Sequence, residues 1–283
     1  MQQGREVGMN DMEHMTLSDK YQRLRDIIAG MGGGVIAFSG GVDSTFLFAV
    51  AVDVLGGNAL AITASSATYP QRELLEAREL ASLIGGRHRE IASEELDIPE
   101  FQDNPRDRCY YCKRELFGKL REIAEQEGLP HLLDGSNLDD LNDHRPGRRA
   151  AQELGVRSPL EEAGLTKDDI RRLSQALKLP TWNKPAFACL SSRFPYGTAI
   201  TPERVGKVGQ AEDALYELGF RTLRVRYHGD VARLELGEAE YAAATGPLRE
   251  KVIRCVKEAG FSYVAVDLLG YRSGSMNETA PSG

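Results

Sequence analysis

Between Val35 and Phe48 the chain reads VIAFSGGVDSTFLF. A short apolar run ends at a doubled glycine, and a longer run begins directly after Asp43, Ser44 and Thr45. The first run has the bare apolar texture of a strand buried on both faces. The second has helix length and stops at Gly56-Gly57. A strand that hands over to a helix through glycines opens a βα unit. It commits the chain to parallel pairing, because the helix must carry the chain back before the next strand can start.

The alternation continues. Leu17, Tyr21, Leu24 and Ile28 recur at helical spacing from Thr16-Leu17 and stop at Gly30 and Gly32–Gly34. ALAITA (59–64) reads as a second buried strand. Pro70 starts a helix running to Ile84, closed by Gly85-Gly86. RHREIA is a third strand, Lys113–Glu127 a helix, and HLLDG a fourth strand. These are βαβ units with right-handed crossovers, hence an α/β fold with a doubly wound parallel sheet. After Pro195 the texture changes. A helix at 202–218 precedes the alternating strands RTLRVRYH and VARLELG; a helix at 246–259 and SYVAVDLL follow. The sequence therefore predicts a flexible N-terminus at 1–16, an α/β domain at 17–195, a smaller α+β domain at 196–272 and a disordered tail at 273–283.

The chain has 283 residues, 27% charged and 41% hydrophobic, with a net charge of −7. That suits a soluble enzyme and argues against a partner gripped through a phosphate backbone, so nucleic acid is not expected. No apolar run follows a basic segment near the N-terminus and no stretch reaches membrane-span length, so a cytoplasmic protein without membrane contact is expected. The four cysteines, Cys109, Cys112, Cys189 and Cys255, then read as thiols or metal ligands rather than a disulfide framework.

The segment Ser39–Thr45 has a mechanical reading. Gly40 and Gly41 permit a sharp turn and bring bare N–H groups towards a ligand. Ser39, Ser44 and Thr45 add hydroxyl donors, and the loop sits at the positive end of the following helix, where an anion is favoured. Asp43 would repel a bare phosphate, so it is either a helix cap or a contact to a metal ion carried with the phosphates. No lysine follows the glycines as a Walker A loop requires. Gly32–Ala37 formally fits a dinucleotide fingerprint but precedes the strand instead of following it. The plain alternative is a glycine turn with a capping aspartate.

The loop SGGVDST resembles the pyrophosphate-binding loop of the ATP pyrophosphatase superfamily. That resemblance implies a doubly wound sheet and cleavage of ATP between its α and β phosphates to give an adenylated intermediate. LLDGSNLDD (132–140) resembles a second segment of the superfamily, which implies nucleotide contacts from Asp134, Gly135 and Asn137; the alternative is a polar loop with Asx turns. Ser65 and Ser66, after the second strand, fall where the superfamily contacts adenine or ribose.

DRCYYCKRELF places Cys109 and Cys112 at C-x-x-C spacing as a helix begins, a pair that can share a metal or exchange as a dithiol. KPAFACLSSRFPYG supplies Cys189 and Arg193. Three thiolates are one short of a fully ligated cubane or a closed zinc site. Cys255 spaces with Val252 and Val256 and reads as core. In order, SGGVDST, CYYCK, DGSN, SPLEEAGLTKDDIRRL and CLSSRFPYG resemble the LarE family over most of the chain. These are ATP-dependent sulfur transferases that make the nickel-pincer cofactor of lactate racemase. Family membership implies ATP and Mg2+ as cofactors, and a pyridinium mononucleotide with two carboxylates as substrate. One carboxylate is adenylated and then converted to a thiocarboxylate.

Two sulfur sources are known in the family, and the three matching cysteines favour the cluster form, since a lone sacrificial cysteine needs no Cys109-Cys112 pair. Cys109, Cys112 and Cys189 would together hold a [4Fe-4S] cluster, or Cys189 would give up its own sulfur and be left as dehydroalanine. The resemblance makes Asp43, Cys189 and Arg193 catalytic candidates. It places Arg193, Arg224, Arg226 and, as the acid, Glu212 around the substrate. Arg224 and Arg226 alternate on one strand and share a face, where two guanidinium forks suit a phosphate or carboxylate; a solvated edge is the alternative. Tyr110 and Trp182 are candidates to stack on the pyridinium ring, Trp182 equally a core residue. A homo-oligomer is expected. The competing readings are a tRNA-thiolating enzyme, an amide synthetase of the NAD synthetase type, and a nucleotide-sensing module that does not release pyrophosphate.

Overall fold

The structure, a computed structural model, describes residues 15–142, 146–185 and 188–272. The expected flexible N-terminus, as far as residue 14, and the tail at 273–283 lie outside the described residues. The chain divides into two compact units. The first comprises the chain up to Ser65, Gln71–Ser93 and the run from Cys112 to residue 185. The second comprises Ser66–Pro70, Glu94–Tyr111 and the chain from Ala188 onward.

In the first unit α1 (Leu17–Met31) opens with a capping box between Thr16 and Asp19 and ends at Gly32, whose φ is 69°. There follow β1 (Gly34–Ala37), α2 (Val42–Leu55), β2 (Ala59–Ser65), α3 (Gln71–Ile84) and β3 (Arg87–Ala92). Next come α4 (Arg108–Glu127), whose first four residues belong to the second unit, β4 (His131–Leu133), α5 (Pro146–Glu153) and α6 (Lys167–Ala176). The four strands pair in parallel in the order β3-β2-β1-β4. Alternate residues of β1 enter opposite cores. Ile36 packs with Phe46, Leu47 and Ile170, while Val35 packs with Leu60, Phe117 and Leu120. Both faces are therefore covered, as the continuous apolar strands require. Helix α2 buries Phe46, Leu47 and Phe48 in succession, so it is enclosed on several sides rather than amphipathic. Strand order reverses at β1, with β2 on one side and β4 on the other. The crevice at the C-terminal end of β1 is thus the switch point at which open parallel sheets bind ligands.

In the second unit α7 (Pro202–Glu217), β5 (Leu223–His228), β6 (Val231–Leu236), α8 (Glu238–Thr245), α9 (Arg249–Glu258) and β7 (Tyr263–Val266) form a three-stranded sheet with helices. β5 and β6 are antiparallel; β6 and β7 are parallel. Helix α8, between Gly237 and Gly246, is one more than the sequence predicts. The units also differ from a single cut after residue 195. The second unit takes in two earlier segments because long-range hydrogen bonds tie them to it. The Asn104 amide donates to the carbonyls of Pro195 (2.8 Å) and Thr198 (3.1 Å). Ile200 N–H donates to Gln102 O at 2.8 Å and Leu190 N–H to Thr68 O at 2.9 Å. No local pattern encodes such contacts.

Candidate functional site

The glycine loop lies between β1 and α2 in the first unit. Gly40 has φ +64°, the left-handed region that a side chain disfavours, and a methyl there would lie 3.3 Å from the Ala77 Cα. Gly41 has φ −77° and stands at the N-cap of α2. Of the two glycines, then, only Gly40 is required by its backbone angle. No side chain caps α2, so its first amides keep their donors for a ligand. Asp43 is the second residue of the helix and does not cap it; that alternative is corrected. The hydroxyls of Ser39 and Ser44 stand 3.1 Å apart, and Ser44 Oγ donates to Gly41 O at 3.3 Å, which holds the loop folded on itself.

Two polar atoms in this loop break the pattern. Asp43 Oδ1 and Thr45 Oγ1 are buried and, among the described residues, meet no hydrogen-bond partner. Each costs about 1–3 kcal/mol if left so. The other oxygen of Asp43 accepts a hydrogen bond from Lys167 Nζ. Burial raises the Asp43 pKa above the ordinary carboxylate value, with Lys167 opposing the shift and Asp140 adding to it. An Mg2+ ion that arrives on ATP needs only one or two protein carboxylates. Asp43, with its orphaned oxygen, fits that requirement.

The segment after β4 packs against the loop. A methyl on Gly135 would lie 3.1 Å from Ser44 N, so a side chain there would press on the backbone at the start of α2. The carboxylate of Asp134 is taken up by Ser136 N–H (3.1 Å), Ser136 Oγ (2.8 Å) and Ser158 Oγ (2.7 Å). Asn137 is buried, accepts from Asp139 N–H at 3.0 Å and gives its own N–H to Asp140. Asx turns and proximity to the loop therefore coexist. The carbonyl of Ser65, at the end of β2, accepts Ser93 N–H at 2.8 Å.

Two lysines beside the loop were not picked out by sequence reasoning. Lys167, the first residue of α6, pairs with Asp43, and its backbone N–H donates to Asp139 at 2.8 Å. Lys184 Nζ reaches Gly40 O (3.3 Å) and Glu73 (2.9 Å). A lysine at a helix N-terminus opposes the helix dipole, and that is the one signal that marks Lys167 in the sequence.

In the second unit Cys189 precedes a 3₁₀ turn, Leu190–Arg193. Arg193 is fully buried. It pairs with Glu212 through two hydrogen bonds, and its Nη1 donates to Ala188 O (2.7 Å), Cys189 O (3.1 Å) and Ser192 Oγ (2.8 Å). Burial alone would raise the Glu212 pKa, but the charge and hydrogen bonds of Arg193, with Val225 N–H, outweigh it and hold the carboxylate below its usual range. Arg226 donates to Ser192 O (2.8 Å) and to buried Glu235 (2.6 Å). Arg224 stacks on Tyr271 and donates to its hydroxyl at 3.2 Å. Burial, then the neighbouring Arg193 charge, lowers the Arg224 pKa. Arg193, Arg226 and Glu212 are thus joined with the cysteine turn in one network.

Cys109 and Cys112 stand one helical turn apart at the start of α4, which begins five residues before Lys113. Tyr110 meets Tyr111 edge-on at 5.4 Å. Trp182 is 38% exposed and is not a core residue. Cys255 is partly buried between Val252 and Val256, and burial pushes its thiol pKa up. Among the described residues no group of three or more His, Cys, Asp or Glu side chains is gathered closely enough to hold a metal ion. Among the described residues no helix is long and apolar enough to cross a membrane.

No family model matches the chain. It is 44% identical over 262 residues to an uncharacterized Synechocystis protein, covering 92% of this chain and 98% of the relative. It is 40% identical over 265 residues to pyridinium-3,5-bisthiocarboxylic acid mononucleotide synthase of Lactiplantibacillus plantarum, covering 93% of this chain and 96% of the synthase. A glutamine-hydrolyzing GMP synthase component of Archaeoglobus fulgidus matches at 24% identity over 220 residues, 69% of this chain and 66% of that protein. With the expected strand–glycine–helix loop, sheet order and near-complete coverage together, the chain belongs to the LarE family, that of the pyridinium-3,5-bisthiocarboxylic acid mononucleotide synthase.

Proposed function

We propose that the chain is an ATP-dependent sulfur transferase acting on a carboxylate of pyridinium-3,5-biscarboxylic acid mononucleotide, in the pathway to the nickel-pincer cofactor of lactate racemase. The observation that carries the ATP half is the pair of buried, unpartnered oxygens at Asp43 and Thr45, in an uncapped loop at the sheet's switch point. Ser39, Gly40, Gly41, Ser44 and Thr45 cradle the phosphates. Asp43 would hold the Mg2+ that accompanies them, and the ion would neutralise charge on the leaving pyrophosphate. Lys167 and Lys184 add positive charge beside the loop. Ser65, Asp134, Gly135 and Asn137 line the nucleotide side.

The chemistry follows from the leaving group. A carboxylate resists nucleophiles because oxide would have to depart. Its oxygen attacks the α-phosphorus of ATP, pyrophosphate leaves, and AMP becomes the leaving group on the acyl carbon. The Cys189 thiolate then attacks that carbon and expels AMP, giving a thioester. Loss of the Cys189 Cα proton with cleavage of its Cβ–Sγ bond leaves a thiocarboxylate and a dehydroalanine. Three guanidinium groups, Arg193, Arg224 and Arg226, stand against the carboxylates of Glu212 and Glu235. Arg224 is the one turned to an aromatic hydroxyl, so it is our candidate for the substrate phosphate. Arg193 and Glu212 act by holding the turn.

A second reading is favoured by one feature, the one-turn spacing of Cys109 and Cys112 on α4. In it these thiols and Cys189 hold a [4Fe-4S] cluster that supplies the sulfur. The deciding experiment combines ATP with the pyridinium substrate and anaerobically purified protein. Pyrophosphate release, a thiocarboxylate product and loss of one sulfur at Cys189 by mass spectrometry support the first reading. Iron and sulfide in the protein, with Cys189 intact after turnover, support the second. Absence of pyrophosphate release overturns both.

A further inference from the structure

We propose that Glu95 is a positioning residue for the Cys189 thiol. It acts through a buried carboxylate–hydroxyl relay that fixes one of the two peptide groups flanking that cysteine. The inference rests on the reading in which Cys189 takes part in sulfur transfer. Glu95 opens a 3₁₀ turn, Glu95–Asp97, and is 2% exposed. A single carboxylate oxygen, Oε1, accepts hydrogen bonds from Ser66 Oγ at 2.5 Å and Thr68 Oγ1 at 2.6 Å. Drawing both hydroxyls to one oxygen closes the 66–69 turn. Thr68 N–H donates to Ser66 Oγ (3.2 Å) and Tyr69 N–H to Ser66 O (3.1 Å). The turn so closed aims the Thr68 carbonyl at Leu190 N–H, 2.9 Å away.

Leu190 N–H belongs to the first residue of the 3₁₀ turn after Cys189, a position with no donor target inside the turn. Thr68 supplies that target. The peptide on the other side of Cys189 is held through Ala188 O, which accepts from Arg193 Nη1 at 2.7 Å. The Cys189 carbonyl accepts from Ser192 N–H at 3.0 Å and Ser192 Oγ at 2.9 Å. With both flanking peptide planes anchored, the Cα–Cβ direction of Cys189 is fixed and the sulfur keeps only its χ1 rotation. Arg193 fixes one side. Glu95, 94 positions earlier in the chain, fixes the other through Thr68. Burying a carboxylate to brace two hydroxyls is costly compared with an apolar filling. What the carboxylate adds here is direction. A displacement of about 1 Å in a reacting group can cost about 100-fold in rate, so a nucleophile needs this bracing and a merely packed loop does not.

The test uses the full chain with ATP and pyridinium substrate, and reads pyrophosphate release and thiocarboxylate formation in the same reaction. Glu95→Ala is expected to slow thiocarboxylate formation by about 10- to 100-fold while pyrophosphate release stays at the wild-type rate. Glu95→Gln, whose amide oxygen still accepts both hydroxyls, is expected to recover most of the loss. Thr68→Val, which removes the hydroxyl at constant shape, should show the same split and keeps the proposal testable if Glu95→Ala does not fold. Parallel loss of both readouts in Thr68→Val, wild-type transfer in Glu95→Ala, or no recovery in Glu95→Gln would overturn the proposal. Cys189→Ser run alongside isolates the underlying reading. Unimpaired transfer in that variant removes the role of Cys189 itself, whatever Glu95 does.

Discussion

Arg193 and Glu212 meet through two hydrogen bonds, Nε to Oε1 at 2.8 Å and Nη2 to Oε2 at 2.9 Å, with side-chain exposures of 0% and 2%. From the same guanidinium Nη1 turns to the carbonyls of Ala188 and Cys189. A pair that the sequence suggests for the substrate is thus also the brace of the cysteine turn. Both partners have lost their water, so each depends on the other.

Glu212→Ala leaves the Arg193 charge buried without its main partner. The expected loss of stability is about 3–5 kcal/mol, measured by urea unfolding. Arg193→Lys should not restore wild-type behaviour, because a point charge cannot reproduce the planar fork.

The same pair sets a pH dependence. The folded-state pKa of Glu212 lies below its ordinary 4.5, so the folded protein holds this proton more weakly than the unfolded chain does. Its contribution to stability is present above about pH 4.5 and is lost as pH falls through the lower folded value. Unfolding free energies measured from pH 6 downward should therefore fall more steeply in the wild type than in Glu212→Gln. Parallel curves would count against the linkage.

Gly135→Ala would push a methyl to 3.1 Å from Ser44 N, at the mouth of the phosphate loop. Relief requires the start of α2 to move, so ATP affinity should fall roughly tenfold, or about 1.4 kcal/mol. Titration calorimetry with ATP checks this. Gly57→Ala meets no atom within 4 Å and serves as the control.

Asp43→Ala should abolish pyrophosphate release while the circular dichroism spectrum and melting midpoint are retained, since it removes a partly desolvated carboxylate rather than a packing group. The stranded Lys167 is one-third exposed and can hydrate. Lys167→Ala should lower pyrophosphate release less than Asp43→Ala. Unchanged release in Asp43→Ala would refute the loop assignment.

The α/β alternation, the parallel sheet and the strand–glycine–helix turn were legible in the chain because their causes are local. Apolar runs such as VIAF and ALAITA must be buried on both faces. Gly40 permits the turn, and glycines end α1, α2 and α3. The cysteine and arginine segments were legible as candidates, but not in their contacts. Alternation on β5 puts Arg224 and Arg226 on one face without saying that Arg226 meets Ser192 O and Glu235 while Arg224 turns to Tyr271. Lys167 and Lys184 escaped notice because their partners lie 124 and 144 positions away.

By itself, then, the sequence determined the alternation of strands and helices in the first unit and the glycine turn between β1 and α2, because propensity and burial act over a few residues. Tertiary structure alone decided which charged groups neutralise one another, which early segments join the second unit, and which backbone carbonyl steadies Cys189. Those outcomes depend on desolvation and on hydrogen bonds between residues far apart in the chain, and only the folded geometry brings them together.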